Sequence, residues 1–142
     1  MRSNAPMLLV EDDEIDVMTI RRALKALNVT NHLDVAGNGE EALAHLRHAD
    51  TLRPCIIMLD LNMPRMGGLE FLGIVKDDPI LRRIPVVILT SSREEQDRIA
   101  SFDKSVAGYM VKPVDYEQFV EVVRTLDLYW TLSEMPGEES RA

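Results

Sequence analysis

Four short apolar runs in this chain end in side chains that can do chemistry. Met7 to Val10 runs into Glu11, Asp12 and Asp13, and Ile56 to Leu59 into Asp60, followed by Leu61, Asn62, Met63 and Pro64. Val86 to Leu89 runs into Thr90, Ser91 and Ser92, and Tyr109 to Val111 into Lys112 and Pro113. Another apolar run, Leu33 to Ala36, ends in Gly37-Asn38, which carries no strong chemistry. Crowded carboxylates repel and raise each other's pKa. A hard divalent cation relieves this, and Mg²⁺ suits one or two carboxylates plus a phosphate. A lysine offsets a further negative charge, and a threonine hydroxyl donates a hydrogen bond. Together they make an environment for a phosphoryl group. A carboxylate can itself attack phosphorus to give an aspartyl phosphate.

Each piece alone has a plainer reading. Glu11-Asp12-Asp13 could cap a helix, and Asp13 is expected to do so in any case. Asp60 could begin a turn. Thr90 and Ser91 could cap the helix that follows them. Lys112 could be an ordinary solvated lysine. The combination, each member directly after an apolar run, favours the shared site.

The elements that must position these residues alternate. The apolar runs are too short for core helices and mostly rich in aliphatic or β-branched residues, so they read as buried strands. Between them lie segments with helical spacing. In the first, Val17, Ile20, Leu24 and Leu27 make a broad apolar stripe, with Ile15, Met18 and Arg22 on another face. The others are Glu40 to Leu46, Leu69 to Val75, Glu94 to Phe102 and Tyr116 to Leu132. Asn38-Gly39 breaks the chain before the second helix, Asp78-Pro79 ends the third, and Pro85 opens the fourth strand. Five strand–helix units predict an α/β fold with a parallel sheet and helices on both faces. Ligands then bind at the carboxyl ends of the strands, where the acids, hydroxyl and ammonium converge.

Composition narrows the function further. The 142 residues suit one domain. At 46% hydrophobic and 28% charged, the chain can bury a core. The formal net charge of −8, with no local basic patch, argues against nucleic acid. No apolar run approaches a membrane span, and the N-terminus lacks a signal-peptide core. A single cysteine, Cys55, forms no internal disulfide and reads as a small buried hydrophobe. A cytoplasmic protein is expected.

These motifs also resemble a known family. Leu8-Leu9-Val10-Glu11-Asp12-Asp13, Met58-Leu59-Asp60-Leu61-Asn62-Met63-Pro64, Val87-Ile88-Leu89-Thr90-Ser91-Ser92 and Gly108-Tyr109-Met110-Val111-Lys112-Pro113 are similar to the receiver domain of bacterial two-component response regulators. The resemblance runs from about Met7 to Leu132. It implies a flavodoxin-like (βα)5 fold with strand order 2-1-3-4-5. It implies that Asp60 is the phosphoacceptor for a sensor histidine kinase. Asp12, Asp60 and the Asn62 backbone carbonyl would ligate Mg²⁺, with Glu11 reaching it through water. Lys112 would bind the phosphoryl oxygens. Thr90 and Tyr109 would be the switch pair, Tyr109 facing outward before Thr90 moves onto the phosphoryl group.

Three departures stand out. Gly67-Gly68 replaces the usual Asp-Gly, so the third helix loses a capping side chain, at a cost of about a few tenths of a kcal/mol. Ser105-Val106 replaces Gly-Ala after the fourth helix, where a left-handed serine would distort the helix end. Strand one ends Glu-Asp, a common variant. In the last helix Tyr116, Phe119, Val122, Val123, Leu126, Tyr129 and Trp130 share one broad face, with Leu128 and Leu132 opposite. That tail resembles stand-alone receivers that partner phytochrome-type histidine kinases.

The expectation is a stand-alone, Mg²⁺-dependent receiver domain over 6–133, with flexible ends at 1–5 and 134–142 and no effector domain. Its chemistry would be limited to self-catalysed phosphotransfer and autodephosphorylation. A homodimer through helix four, strand five and helix five is expected, and neither nucleic acid nor membrane is. Two alternatives stay open. One is a phosphorylation-independent binding module. The other is a Mg²⁺-dependent aspartyl-phosphate phosphatase resembling the haloacid dehalogenase family, which would need an acid where Asn62 stands.

Overall fold

The computed structural model describes residues 5–26, 29–63, 65–102, 106–112, 114–115, 117–122 and 124. The elements run β1 (Met7–Val10), α1 (Glu14–Ala26), β2 (Leu33–Ala36), α2 (Gly39–Arg47), β3 (Ile56–Asp60), α3 (Gly68–Asp77), a 3-10 turn (Leu81–Arg83), β4 (Val86–Thr90), α4 (Arg93–Phe102) and β5 (Gly108–Val111). A last helical stretch, α5, covers 117–122. The five strands form one parallel sheet in the order β2-β1-β3-β4-β5. β3 and β4 each extend one residue past the expected apolar run, so Asp60 and Thr90 belong to the strands themselves.

Alternation along the strands divides the core between the two faces of the sheet. Leu8, Val10, Ile57, Leu59, Val86 and Ile88 pack with Ala42 and Leu43 of α2, Phe71, Leu72 and Val75 of α3 and Ile99 of α4. Met7, Leu9, Ile56, Met58, Val87, Leu89 and Met110 pack with Ile20, Ala23 and Leu24 of α1 and Phe119 of α5. A strand turns successive side chains to opposite faces, which is why unbroken apolar runs suit a sheet covered on both sides. On α1 the Ile20 and Leu24 stripe is the buried one, while Ile15 and Met18 are exposed. Cys55 is half-buried, and burial pushes its thiol up to about 11, so it stays protonated and inert. Among the described residues no helix is long and apolar enough to cross a membrane.

Helix starts follow side-chain chemistry. Asp13 caps α1, its Oδ1 accepting from the backbone N–H of Ile15 at 2.8 Å and of Asp16 at 3.4 Å. Asn38 caps α2 through the Glu41 amide at 2.9 Å, and Glu41 reaches back to Gly37. The cap of α4 is Ser92, which accepts from Glu95 N–H at 3.1 Å, not Thr90 or Ser91. Glu95 in turn accepts from Ser91 N–H at 2.8 Å, completing a reciprocal cap. Thr90 is unavailable for capping because β4 still holds it in the sheet. Ser105, the expected distorted helix end, lies outside the described residues.

α3 starts from Gly67, in extended backbone and with no side-chain cap. The next residue has no such freedom. A Cβ on Gly68 would sit 2.6 Å from the Leu61 Cα and 2.7 Å from the Asp60 carbonyl oxygen. α3 thus begins flush against the end of β3, and only glycine permits that approach. Gly68→Ala should therefore destabilise the fold by on the order of 2 kcal/mol in urea denaturation, because backbone must move. Gly67→Asp, with open space around the new Cβ, should instead raise stability by about a few tenths of a kcal/mol.

Candidate functional site

Parallel register sets the site. Val10 pairs with Leu59, so Glu11 and Asp60, the residues that follow, come level on adjacent strands. Asp60 pairs with Leu89, and Thr90 with Val111, which places Thr90 and Lys112 at the same carboxyl edge. The Lys112 amide donates to the Thr90 carbonyl at 2.8 Å, continuing the ladder by one residue. Glu11 and Asp60 are each only 1% exposed, and Thr90 is fully buried.

Three carboxylates surround the Lys112 ammonium. Nζ lies 3.0 Å from Glu11 Oε1, 3.1 Å from Asp60 Oδ2 and 3.2 Å from Asp16 Oδ2. Burial opposes the lysine charge, but hydrogen bonds and Coulomb attraction from Glu11 and Asp60 outweigh it and hold the pKa above the ordinary lysine range. Lys112 is therefore a permanent cation at neutral pH. For Glu11, burial raises the carboxyl to about 7, with the Lys112 hydrogen bond opposing and Asp60 adding to the rise.

Glu11, Asp12 and Asp60 each offer an oxygen within 4.8 Å of the others, and among the described residues they are the one such group. Glu11 Oε1 and Asp60 Oδ2 are buried with no donor in good hydrogen-bond geometry. One ammonium leaves these acids short of positive charge, and an all-oxygen donor set fits a hard divalent cation. Asp12 is exposed, leaving an open side for water or a phosphoryl group. The Asn62 backbone N–H donates to Asp60 Oδ1 at 3.1 Å and orients that carboxylate.

The expected residues Glu11, Asp12, Asp60 and Lys112 thus come together. Thr90 is on the same edge, with its hydroxyl donating to the Met110 carbonyl at 3.4 Å. Tyr109 does not stand on open surface. It is half-buried, packs on the side of the core that holds Ile88 and Ile99, and lines a groove with Arg93, Gln96, Gln118 and Val122.

Two contacts were missed in the sequence. Asp16 reaches Lys112 from the first turn of α1, where an acid already suits the helix dipole and so gives no separate signal for the contact. Gln118 clamps β5: its Oε1 accepts from Val111 N–H at 2.7 Å and its Nε2 donates to Val111 O at 2.8 Å. A glutamine one position before a buried phenylalanine gives no signal either.

A doubly wound sheet with an acid cluster, a lysine and a threonine at its carboxyl edge is the architecture of a flavodoxin-like receiver. The response regulator receiver domain model matches residues 7–124, and the chain belongs to that family. It is 36% identical over 134 residues to response regulator Rcp1 of Synechocystis sp., covering 90% of this chain and 91% of that protein. The Mn(2+)-bound form of Rcp1 matches with a TM-score of 0.72 at 35% identity, covering 89% of this chain and 94% of that one. The bacteriophytochrome response regulator RtBRR matches with a TM-score of 0.80 at 41% identity, over 86% of this chain and 77% of that one. The phosphorylated cyanobacterial phytochrome response regulator RcpA matches with a TM-score of 0.73 at 36% identity, over 90% and 94%.

The raised Glu11 pKa has a definite sign. The folded carboxyl holds its proton up to about 7, against 4.5 ordinarily. Its contribution to stability is fully present below pH 4.5 and is lost as pH rises through about 7. In metal-free protein, stability relative to Glu11→Gln should fall by on the order of 2–3 kcal/mol between these limits, measured by denaturation across pH. Divalent-cation affinity should rise over the same range, because the cation displaces that proton.

Proposed function

We propose that this receiver accepts a phosphoryl group from a sensor histidine kinase onto Asp60. The observation that carries the reading is the Asp60 carboxylate, buried at the sheet edge, with Lys112 Nζ 3.1 Å away and the Glu11 and Asp12 oxygens beside it. Asp12, Asp60 and the Asn62 backbone carbonyl would ligate Mg²⁺, and Glu11 would reach it through water. The bound cation would neutralise the acids and the incoming phosphoryl oxygens.

The chain's own residues do the rest. An Asp60 oxygen attacks phosphorus and forms the new P–O bond. The P–N bond to the donor imidazole breaks, and its electron pair stays on the ring nitrogen. Lys112 donates to a phosphoryl oxygen in place of Asp60 Oδ2. Thr90 exchanges its 3.4 Å bond to the Met110 carbonyl for a stronger one to the phosphoryl group. Met110 follows Tyr109 in β5, so this exchange bears directly on how Tyr109 packs. The groove between α4, β5 and α5 then changes shape, and partners read it.

The relatives named for phytochrome systems support a phytochrome-type kinase as partner, acting in the cytoplasm. We place a homodimer on the α4–β5–α5 face. Its expected apolar contributors, Leu128, Tyr129, Trp130 and Leu132, lie outside the described residues. The phosphatase alternative is disfavoured by Asn62, whose amide cannot give and retrieve a proton as a general acid does.

Acetyl phosphate with Mg²⁺ should place stable label on Asp60, detected by mass spectrometry. Turnover of a small phosphoester would favour the phosphatase, and no label the phosphorylation-independent module. Asp60→Asn should abolish labelling while keeping or raising metal-free stability by up to about 1 kcal/mol, since one buried negative charge is removed. Full labelling of Asp60→Asn overturns the acceptor assignment. Sedimentation of the wild type should show concentration-dependent dimers that Leu128→Glu/Leu132→Glu weakens. A wild type monomeric at high micromolar concentration, phosphorylated or not, removes the dimer.

A further inference from the structure

The third carboxylate on Lys112, Asp16, has no role in the phosphotransfer proposed for Asp60. Asp16 lies in the first turn of α1. Side chains on a helix lean towards its N-terminus, and α1 begins at the carboxyl edge of β1. Asp16 is thereby aimed back at the site from a helix face that also carries buried Ile20, one turn on. Its side chain is 14% exposed and that of Lys112 21%, so the pair is mostly shielded from water.

An ammonium has three N–H donors and no acceptor. Here oxygens of Glu11, Asp60 and Asp16 all stand at ion-pair distance from Nζ, at 3.0, 3.1 and 3.2 Å. Their roles differ. Asp60 changes chemically when it is phosphorylated, and Glu11 is committed to the metal side of the cluster. Asp16 is the acceptor that neither the metal nor the phosphoryl group requires. It can hold Lys112 through the whole reaction. An acid in the first helical turn also favours the helix dipole, but that task is already met by Asp13 and Glu14 and needs no contact with β5.

We propose that Asp16 is a positioning residue for phosphotransfer: it anchors the Lys112 ammonium beside Asp60, so that a phosphoryl oxygen replaces the Asp60 carboxylate with little lysine movement. The inference rests on the phosphoacceptor reading of Asp60. A lysine stem carries considerable rotamer freedom, and fixing it in advance lowers what the transition state must order. The anchor is the Asp16 oxygen 3.2 Å from Nζ, and an asparagine carbonyl keeps an acceptor oxygen there, so it should replace it in large part.

The test compares wild type, Asp16→Ala and Asp16→Asn, each checked for folding by thermal melt. With acetyl phosphate at saturating Mg²⁺, Asp16→Ala should label Asp60 about three- to tenfold more slowly, the net size of one partly exposed polar contact. Asp16→Asn should recover at least half of the wild-type rate. Mg²⁺ affinity, measured by calorimetry, should change by less than about threefold in Asp16→Ala, because Asp16 is not a ligand. A second reading needs neither metal nor donor. The Lys112 ammonium resonance in ¹⁵N NMR of the metal-free protein should be slow to exchange in wild type, and broadened or lost in Asp16→Ala. If wild type labels normally, Asp16→Ala matches its rate and the Lys112 resonance is unchanged, the role of Asp16 is overturned and the phosphoacceptor reading stands. A wild type that takes no label overturns both. Failure of Asp16→Asn to recover the rate overturns the hydrogen-bond anchor.

Discussion

The contact between the Lys112 ammonium and the buried acids at the sheet edge governs much of this structure. Glu11 and Asp60 are almost wholly removed from water. A buried carboxylate without a partner protonates or destabilises the fold. Lys112 answers both at once, at 3.0 and 3.1 Å. The answer is incomplete: burial, opposed by the Lys112 contact and reinforced by Asp60, still holds the Glu11 carboxyl at about 7. The same crowding of buried acids that makes the site costly forms an all-oxygen cluster that could hold a metal ion.

Holding that contact requires three strands to end level. β1, β3 and β5 are not neighbours in sequence, and among the described residues β5 is an edge strand paired on one side only. An edge strand exposes backbone groups that a neighbour would otherwise fix. Gln118 supplies that neighbour by taking both the N–H and the C=O of Val111, the residue before Lys112. On the other side, the Lys112 amide is fixed to the Thr90 carbonyl and the Thr90 hydroxyl to the Met110 carbonyl. β5 is thus pinned by α5 and by β4 around the lysine.

Much of this was legible in the sequence because parallel strands buried on both faces leave unbroken apolar runs, and the residue after each run marks the binding edge. Glu11, Asp12, Asp60, Thr90 and Lys112 each follow such a run and so share one edge. The pattern does not place Asp16, because an acid early in a helix already has a sufficient local explanation in the dipole. Its contact with Lys112 depends on where α1 starts relative to β5, which only the folded chain decides. Gln118 escaped for a similar reason, since its amide looks like any polar residue on an exposed helix face. The α4 cap went to Ser92 because the β4 ladder runs one residue longer than its apolar stretch.

The β3–α3 connection shows why the site tolerates some departures from the family pattern and not others. Gly68 stands against the Asp60 and Leu61 backbone, and its amide donates to the Leu61 carbonyl at 3.3 Å. Asn62 N–H fixes the Asp60 carboxylate from the same loop. Arg65 takes a left-handed φ of 52°, which costs an L-residue on the order of 1 kcal/mol. The loop is therefore shaped to hold Asp60 at some expense in backbone energy. Gly67 lies outside that constraint, with open space where a side chain would be. Losing a capping acid there weakens the start of α3 without moving Asp60. The neighbouring glycine cannot be exchanged on the same terms, because its side chain would have to occupy the place of the strand end that carries Asp60.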